Sequence, residues 1–267
     1  MNAAAESFET LALERVDAHV MVVRLNRPDA SNALNTQMGR DLVRYFEDTA
    51  LDPINLRCIV LTGAGEKAFC AGGDLKERRG MTDEAWTRQH VIFERMVRAL
   101  IDCPVPIIGA VNGAAYGGGC EIAGCCAFLY AAESARFALT EVTLGIMPGG
   151  GGTQTLPRAV GERRAKELIL TGKPFTATQA RDWGLVNEVF PLADLLQEAL
   201  ATASRIARNA PISTRQAKLA IHRGLQSSLR DGLALEIEAY NRMVPTEDRR
   251  EGVLAFNEKR TPNFNGK

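Results

Sequence analysis

Apolar residues along this chain follow two periodicities, one typical of strands and one typical of helices. Alternating or β-branched apolar runs predict strands at residues 10–16, 19–25, 56–62, 106–111, 128–131 and 186–190. Between the strands, one apolar stripe recurs at helical spacing, formed by Phe93, Met96, Val97 and Leu100. A further helix is predicted to begin after Gly161 and to run through Leu170.

Beyond residue 192 the strand pattern disappears. Helices are predicted at residues 195–208, 213–225, 229–244 and 247–259. Strands alternating with helices, followed by helices alone, predict an α/β core over residues 1–191 and a helical region over residues 192–267. One helical stripe is more apolar than a small domain can bury alone, which predicts a partner surface at Leu233, Ile237, Tyr240 and Val244.

Charge and hydropathy narrow the possible function classes. The 32 basic and 32 acidic side chains balance, so the chain offers no basic field for nucleic acid. Residues 103–120 form the longest uncharged stretch, but their prolines and glycines favour a buried strand, a turn and a helix start over a membrane span. Residues 1–14 carry three glutamates and no apolar run, which is unlike a signal peptide.

The reactive side chains also exclude several kinds of site. The six cysteines form no C-x-x-C pair and the three histidines are far apart, so we expect reduced, buried cysteines in a cytosolic protein and no zinc site. Nucleophile-elbow, phosphate-loop and dinucleotide-binding motifs are absent. With so few histidines, acid–base chemistry is expected to fall to carboxylates.

Glycine is the unusual feature, because 11 of the 24 glycines fall between Gly109 and Gly152. Two glycine-rich segments, residues 68–75 and 112–121, each come after a predicted strand. Such glycines let the backbone turn tightly and leave N–H groups pointing at a ligand. Two such turns side by side could donate two N–H bonds to one oxygen, as in an oxyanion hole. The alternative is that the glycines only permit close packing of helix on strand.

Residues 69–75, 110–122 and 135–158 resemble the enoyl-CoA hydratase/isomerase family, also called the crotonase family. The opening segment 25–35 and the closing segment 256–260 are similar to it as well, so the resemblance covers almost the whole chain. It implies an α/β fold, a crotonase-like spiral of ββα units with a helical C-terminal trimerisation region. The implied assembly is a homotrimer or a hexamer of two trimers.

The resemblance also implies catalytic residues. The backbone N–H groups of Gly73 and Gly118 would hold the carbonyl oxygen of an acyl-CoA thioester. Glu121 would activate water as the base, and Glu141 would protonate C2 as the acid. Contacts to CoA are implied for Arg27, Ala71, Asp74, Leu75, Lys76, Phe256 and Lys259. Phe256 and Lys259 would reach the nucleotide from a neighbouring subunit.

A run of four glycines, residues 149–152, precedes Thr153. The run predicts a loop leading into a helix, with a residue of positive φ in the loop and Thr153 as the N-cap. In the family that the chain resembles, this loop helps to shape the acyl pocket.

The implied activity is hydration of a 2-enoyl-CoA to a 3-hydroxyacyl-CoA in cytoplasmic fatty acid β-oxidation. CoA would be part of the substrate, and no separate cofactor, metal, nucleic acid or membrane partner is expected. The open alternatives are a methylglutaconyl-CoA or other branched or aromatic enoyl-CoA hydratase, an isomerase, and a non-catalytic acyl-CoA- or RNA-binding protein. Retention of both Glu121 and Glu141 argues against pure binding. The helix predicted at residues 85–101 lacks the lysines of RNA-binding relatives.

Overall fold

A computed structural model describes residues 7–53 and 55–267, which form two β-sheets surrounded by helices. The prediction that residues 1–14 are unlike a signal peptide concerns, in part, residues 1–6, which lie outside the described ranges. The strands are β1 (Leu11–Arg15), β2 (Val20–Leu25), β3 (Cys58–Gly63), β4 (Ala68–Cys70), β5 (Ile107–Val111), β6 (Ala114–Tyr116), β7 (Phe128–Ala132), β8 (Arg136–Ala138), β9 (Phe175–Thr176) and β10 (Glu188–Phe190).

Helices fill the intervals between the strands and then continue alone to the C-terminal end. They are α1 (Thr36–Leu51), α2 (Leu75–Arg78), α3 (Asp83–Asp102), α4 (Gly118–Gly124), α5 (Gly152–Val160), α6 (Glu162–Thr171), α7 (Ala177–Asp182), α8 (Leu192–Ala207), α9 (Pro211–Gly224), α10 (Leu229–Asn241) and α11 (Glu247–Glu258). Two short 3₁₀ turns lie at Pro28–Ala30 and Glu141–Leu144.

The larger sheet has the strand order β1-β2-β3-β5-β7-β10. Strand β1 is antiparallel to β2, and the other neighbours are parallel. Every residue of β3 and β5 is buried. Parallel strands covered on both faces are expected to be continuous apolar runs. This accounts for the prediction of β3 and β5, while alternating or β-branched apolar runs predicted the other four strands of this sheet, including the partly exposed edge strands β1 and β10.

The smaller sheet has the order β4-β6-β8-β9, with β4, β6 and β8 parallel to one another and β9 antiparallel to β8. Its strands were not predicted, because two or three residues are too few to show an apolar alternation. Consecutive strands alternate between the sheets: β3, β5 and β7 lie in the larger sheet, and β4, β6 and β8 follow them in the smaller. A helix comes after each pair, so the predicted spiral of ββα units is confirmed.

The helical C-terminal region begins at Leu192, close to its predicted start. Its first helix, α8, packs on the larger sheet through residues four apart, and Leu195, Ala199 and Ala203 belong to the main hydrophobic core. The division of the chain at residue 191 stays a prediction, since this helix shares the core of the preceding strands. Within the described residues, no helix has the length and hydropathy required to cross a membrane.

Candidate active site

Three strands of the smaller sheet end at the same edge, and each is followed by residues of the candidate site. The turn after β4 holds Gly73, α4 after β6 holds Gly118 and Glu121, and the 3₁₀ turn after β8 begins at Glu141. Since β4, β6 and β8 are parallel neighbours, these turns lie side by side. Ligands of parallel α/β sheets commonly bind at this carboxyl edge.

Gly73 has a backbone N–H that no described residue accepts. Leu34 N donates to Gly72 O at 2.8 Å, and Asp74 N donates to Leu34 O at 2.9 Å. Successive N–H groups along an extended strand point to opposite sides. The N–H of Gly73, which lies between Gly72 and Asp74, therefore faces away from Leu34. Gly72 has φ +96°, and a Cβ there would stand 2.7 Å from Tyr116 O, so only glycine fits this turn.

Gly118 supplies a second free N–H, because it is the first residue of α4. The first N–H groups of a helix have no partner within the helix and carry its positive dipole end. The preceding Gly117 turns the chain with φ +49° and donates its own N–H to Ala138 O at 2.8 Å. A Cβ on Gly118 would lie 3.8 Å from Gly73 N. The two free N–H groups are therefore neighbours on one wall.

Glu121 is buried in α4 and held through one of its two carboxyl oxygens. Its Oε1 accepts hydrogen bonds from Gly150 N at 2.7 Å and from Gly152 N at 2.8 Å. The intervening Gly151 has φ +97°, which lets both N–H groups converge on the same oxygen. A Cβ on Gly150 would stand 2.6 Å from Glu121 Oε2. The glycine run thus fixes Glu121 and leaves its Oε2 without a hydrogen bond from the described residues.

Glu141 is also buried, and its carboxyl group has a different environment. Its Oε2 is fully buried and finds no hydrogen-bond partner among the described residues. Its Oε1 lies close to Gly117, 3.1 Å from where a Cβ on that residue would stand. A buried carboxyl oxygen without donors favours the protonated form.

Burial raises the pKa values of both carboxyl groups. Desolvation raises the pKa of Glu121 to about 7, although the N–H bonds from Gly152 and Gly150 oppose the shift. Repulsion by Glu141 adds to it. Desolvation also raises the pKa of Glu141, although a hydrogen bond from its own backbone N–H and the nearby charge of Arg78 oppose the shift. The two groups interact, so they titrate as a pair that can hold one proton near neutral pH.

All four predicted catalytic residues, Gly73, Gly118, Glu121 and Glu141, line one cavity of about 520 Å³. This volume lies in the usual range of small-molecule binding sites. The remaining wall is mostly apolar and is formed by Leu34, Leu75, Trp86, Phe93, Met96, Leu144, Ile146, Met147 and Pro148. The cavity thus combines two free N–H donors and two carboxyl groups within a mostly apolar wall that also includes Arg78 and His90.

Of the predicted CoA contacts, Arg27 and Asp74 bind each other. Arg27 Nη1 donates to Asp74 Oδ2 at 2.9 Å and to Ala33 O at 2.6 Å. Asp74 Oδ1 also caps α2 by accepting from Lys76 N and Glu77 N. Desolvation would raise the pKa of Asp74, but the hydrogen bond and the positive charge of Arg27 hold it below its usual value. This ion pair braces the turn that presents Gly73.

The other predicted contacts lie in two places. Ala71 and Leu75 line the mouth of the cavity, and the exposed Lys76 follows them on α2. Phe256 and Lys259 are exposed at the end of α11 and do not line the cavity of their own chain. Contacts of all these residues with CoA stay predictions.

The structure corrects one prediction and adds residues that the sequence did not reveal. Thr153 is not an N-cap: α5 begins at Gly152, with Gly151 as its cap, and the backbone N–H groups of Gly150 and Gly152 donate to Glu121. The predicted residue of positive φ is Gly151. Arg78 lines the cavity and donates from Nε to the buried Gln89, and the sequence analysis gave neither residue a role.

Residues 15–267 match the family model described as enoyl-CoA hydratase/isomerase. The chain is 43% identical over 248 residues to 2,3-dehydroadipyl-CoA hydratase of Escherichia coli, covering 93% of this chain and 96% of that protein. It is 41% identical to short-chain-enoyl-CoA hydratase of Clostridium acetobutylicum, covering 91% and 93%. The crystal structure of an enoyl-CoA hydratase from Bacillus anthracis superposes with a TM-score of 0.95 at 44% identity, covering 97% of this chain and 100% of that one.

The raised pKa of Glu121 predicts a pH-dependent effect of Glu121→Gln on stability. The native pKa of about 7 exceeds the ordinary value of 4.5, so the folded state holds this proton more tightly than the unfolded state. The stability of the wild type should therefore fall relative to Glu121→Gln as the pH rises through this window. We expect the difference in free energy of unfolding to change by about 3 kcal/mol between pH 4.5 and 8.

Urea unfolding at matched protein concentrations measures this difference, and effects of other titrating groups cancel when the two proteins are compared. The same difference at both pH values would contradict a raised native pKa for Glu121.

Proposed function

The chain belongs to the enoyl-CoA hydratase/isomerase family, and we propose that it acts as an enoyl-CoA hydratase. It adds water across the C2–C3 double bond of a 2-enoyl-CoA thioester and yields the 3-hydroxyacyl-CoA. The observation that carries this assignment is the placing of two buried carboxyl groups with raised pKa values beside two free backbone N–H groups in one cavity. Binding alone would require neither carboxyl group.

In the proposed mechanism, the thioester carbonyl oxygen accepts hydrogen bonds from the N–H groups of Gly73 and Gly118. These donors polarise the conjugated double bond and stabilise the enolate that forms when C3 is attacked. They are fixed in place before the reaction, so no reorganisation is required when the charge develops. Removing one such donor commonly costs about 3–4 kcal/mol of transition-state stabilisation.

The two glutamates divide the proton transfers. Glu121, held by two N–H donors, accepts a proton from water through its free oxygen while the water oxygen bonds to C3. Glu141, whose Oε2 has no donor among the described residues, carries a proton and delivers it to C2 as the enolate returns to the thioester. A proton then passes from Glu121 back to Glu141, which restores the pair for the next turnover. Water supplies all the added atoms and no electrons are transferred to another molecule. We therefore expect no cofactor apart from the CoA of the substrate.

CoA would lie across the cavity mouth. Ala71 and Leu75 are placed to flank the pantetheine arm, and Lys76 is an exposed cation near the opening. Arg27 and Asp74 would contribute mainly by bracing this turn. Lys259 and Phe256 would cover the nucleotide of a neighbouring subunit, with the lysine facing a phosphate.

We also propose a homotrimer, or a hexamer of two trimers. The support is an apolar stripe formed by Leu233, Ile237 and Tyr240 on α10 and by Val244 just after it, which are 44–60% exposed in the isolated chain. The groove beside this stripe is also lined by exposed apolar side chains at the end of α9, Ile221 and the following Leu225. An exposed surface of this kind marks an interface more often than a solvated face.

The proposed setting is fatty acid β-oxidation in the cytoplasm. The 3-hydroxyacyl-CoA product is the form that an oxidising step would use next. All six cysteines are unpaired, which suits a reducing compartment.

Nucleic acid is not a proposed partner. On α3, Arg88, Arg95 and Arg98 each form an ion pair with a glutamate, which leaves no cluster of unpaired cations on this helix.

Replacing either carboxyl group is expected to remove most of the activity. Glu121→Gln and Glu141→Gln should each lower kcat for crotonyl-CoA by about 10²–10⁴-fold, because each loses one proton transfer. The KM should change little, since neither group is required for binding. Loss of the enoyl-thioester absorbance measures the rate. If either variant hydrates crotonyl-CoA near the wild-type rate, the role given to that residue is wrong.

Removing the N–H of Gly118 tests the oxyanion hole. Proline is tolerated at the first position of a helix but has no N–H, so Gly118→Pro should fold and lose at least about 10²-fold in kcat. Gly118→Ala is the comparison, because its Cβ would meet Leu34 Cδ2 at an ordinary 3.4 Å while the N–H remains. The proline variant should be much slower than the alanine variant. A folded Gly118→Pro protein with wild-type turnover would refute the assignment.

Light scattering tests the proposed assembly. The wild type should have the mass of a trimer or hexamer, and Leu233→Glu with Ile237→Glu should give a smaller species because two charges would have to be buried. Leu51→Glu is the control: Leu51 is 86% exposed and lies at the end of α1, away from this groove. A monomeric wild type would contradict the assembly and the shared role of Lys259.

A further inference from the structure

Helix α11 has little apolar packing of its own against the rest of the chain. Of its 12 residues only Asp248 and Ala255 are buried, and one of these two is charged. A cavity of about 510 Å³ lies between α11 and residues of α9 and α10, among them Ser213 and Tyr240. A helix of this length is marginal in water unless tertiary contacts hold it. The position of α11 must therefore depend on contacts other than apolar packing.

Residues 260–267, here called the C-terminal strap, run back along α11 towards its first turn. Asn263 N donates to Glu251 Oε1 at 2.8 Å. Further along, Phe264 Cε1 lies 3.4 Å from where a Cβ on Gly252 would stand, so the phenyl ring packs on the helix where it has no side chain. The strap thus covers the side of α11 that the other helices leave open.

Asp248 anchors the far end of the strap and is only 3% exposed. Its Oδ1 accepts from Asn265 N at 2.7 Å, and its Oδ2 accepts from Gly266 N at 2.9 Å. Its own N–H donates to Lys267 O at 3.1 Å. A carboxylate can be buried where N–H groups satisfy both oxygens, and the first turn of a helix favours negative charge. Asp248 therefore holds three successive residues of the strap.

The strap is also bound to the core of the chain. Arg57, just before β3, donates from Nη2 to Phe264 O at 2.6 Å and from Nη1 to Ala207 O at 2.9 Å, at the end of α8. Gly266 has φ +77°, and a Cβ there would stand 3.1 Å from Pro211 Cγ at the start of α9. The strap consequently joins α11 to the core.

The turn between α11 and the strap presents Lys259. This lysine has φ +56°, a left-handed conformation that costs free energy and that glycine usually adopts at a helix end. Arg260 holds the turn: its N–H donates to Ala255 O at 3.0 Å, and its Nη groups donate to both carboxyl oxygens of Glu251 at 2.6 and 2.8 Å. Backbone strain of this kind persists where a side chain must be held for a ligand.

We propose that Asp248 and the C-terminal strap position Lys259 and Phe256 over the CoA nucleotide of a neighbouring subunit. The inference rests on the proposed function, which places these two residues at the nucleotide. Asp248 is a positioning residue, because it acts through the strap and α11 and touches no substrate. The described residues that line the acyl cavity include none from α11 or the strap. Loss of the strap should therefore weaken binding of the nucleotide alone.

Two unreactive ligands of different length test the proposal. Butanoyl-CoA and S-butanoylpantetheine carry the same saturated acyl group, and only the first has the nucleotide. Calorimetric titration of the wild type should show tighter binding of butanoyl-CoA. Asp248→Asn replaces one acceptor oxygen with an amide group that cannot accept from the strap. It should lower the ratio of the two affinities by about 3- to 10-fold, as expected for loss of a charge-assisted contact. The affinity for S-butanoylpantetheine should not change.

Combined variants show whether Asp248 acts through the strap and Lys259. A chain that ends after Pro262 lacks the residues that Asp248 holds, and Lys259→Gln lacks the cation. Each change alone should lower the affinity ratio. Adding Asp248→Asn to the shortened chain should lower the ratio no further, and adding it to Lys259→Gln should lower it less than in the wild type. Effects that multiply independently would overturn the proposal.

Glu247→Gln is the matched control, because it removes an exposed carboxylate from the same turn of α11. It should keep the wild-type ratio. By light scattering, Asp248→Asn should keep the mass of the wild type. An unchanged ratio in Asp248→Asn would overturn the proposal. Equal loss of affinity for both ligands or a smaller mass would also overturn it, because Asp248 would then serve the whole fold or the assembly.

If Asp248→Asn does not fold, the chain that ends after Pro262 decides by the same ratio. Failure of both proteins to fold would overturn the proposal, since the strap would then be required for folding itself.

The test separates this proposal from the hydratase function, because neither saturated ligand can be hydrated. Tighter binding of butanoyl-CoA that depends on Asp248, together with failure to hydrate crotonyl-CoA, would retain the positioning role and refute the hydratase. Hydration of crotonyl-CoA with an affinity ratio that does not depend on Asp248 would retain the hydratase and refute the positioning role.

Discussion

Parallel pairing of β4, β6 and β8 is the constraint on which the site depends. These short strands pair through Ala68 with Ala114 and through Ala114 with Arg136, so their carboxyl ends are adjacent. The close approach requires glycine: a Cβ on Gly119 would stand 2.1 Å from Cys70 O. Helix α4 can thus begin directly beside the turn after β4. The two free N–H groups are neighbours because the backbones of these two segments pack directly against each other, with no side chain between them.

The same packing accounts for the electrostatics of the cavity. Close packing excludes water, which raises the pKa values of Glu121 and Glu141 and strengthens any interaction with charge that develops during a reaction. The two carboxyl groups differ in their partners: Glu121 has two N–H donors, and Glu141 Oε2 has none among the described residues. That asymmetry supports the proposed division of the pair into base and acid.

Much of the fold and site could be predicted from the sequence. The larger sheet and the C-terminal helices have regular apolar patterns, and the family resemblance pointed to Gly73, Gly118, Glu121 and Glu141, which line one cavity. The smaller sheet was missed because its strands are too short to show a period. Residues 76–79 all carry charge, a pattern typical of a solvated face, and only packing of α3 across them buries Arg78. The bonds from Gly150 and Gly152 to Glu121 join residues distant in sequence, which no local pattern reveals.

The central claim is that two backbone N–H groups polarise the thioester carbonyl, and infrared spectroscopy of a bound ligand tests it most directly. Butanoyl-CoA labelled with ¹³C at the thioester carbonyl is saturated, so it binds without being hydrated. Hydrogen bonds from Gly73 and Gly118 should move the labelled carbonyl stretch to lower wavenumber when the ligand binds, and Gly118→Pro should reduce that shift. A bound carbonyl that absorbs at the same wavenumber as the free thioester would contradict the account.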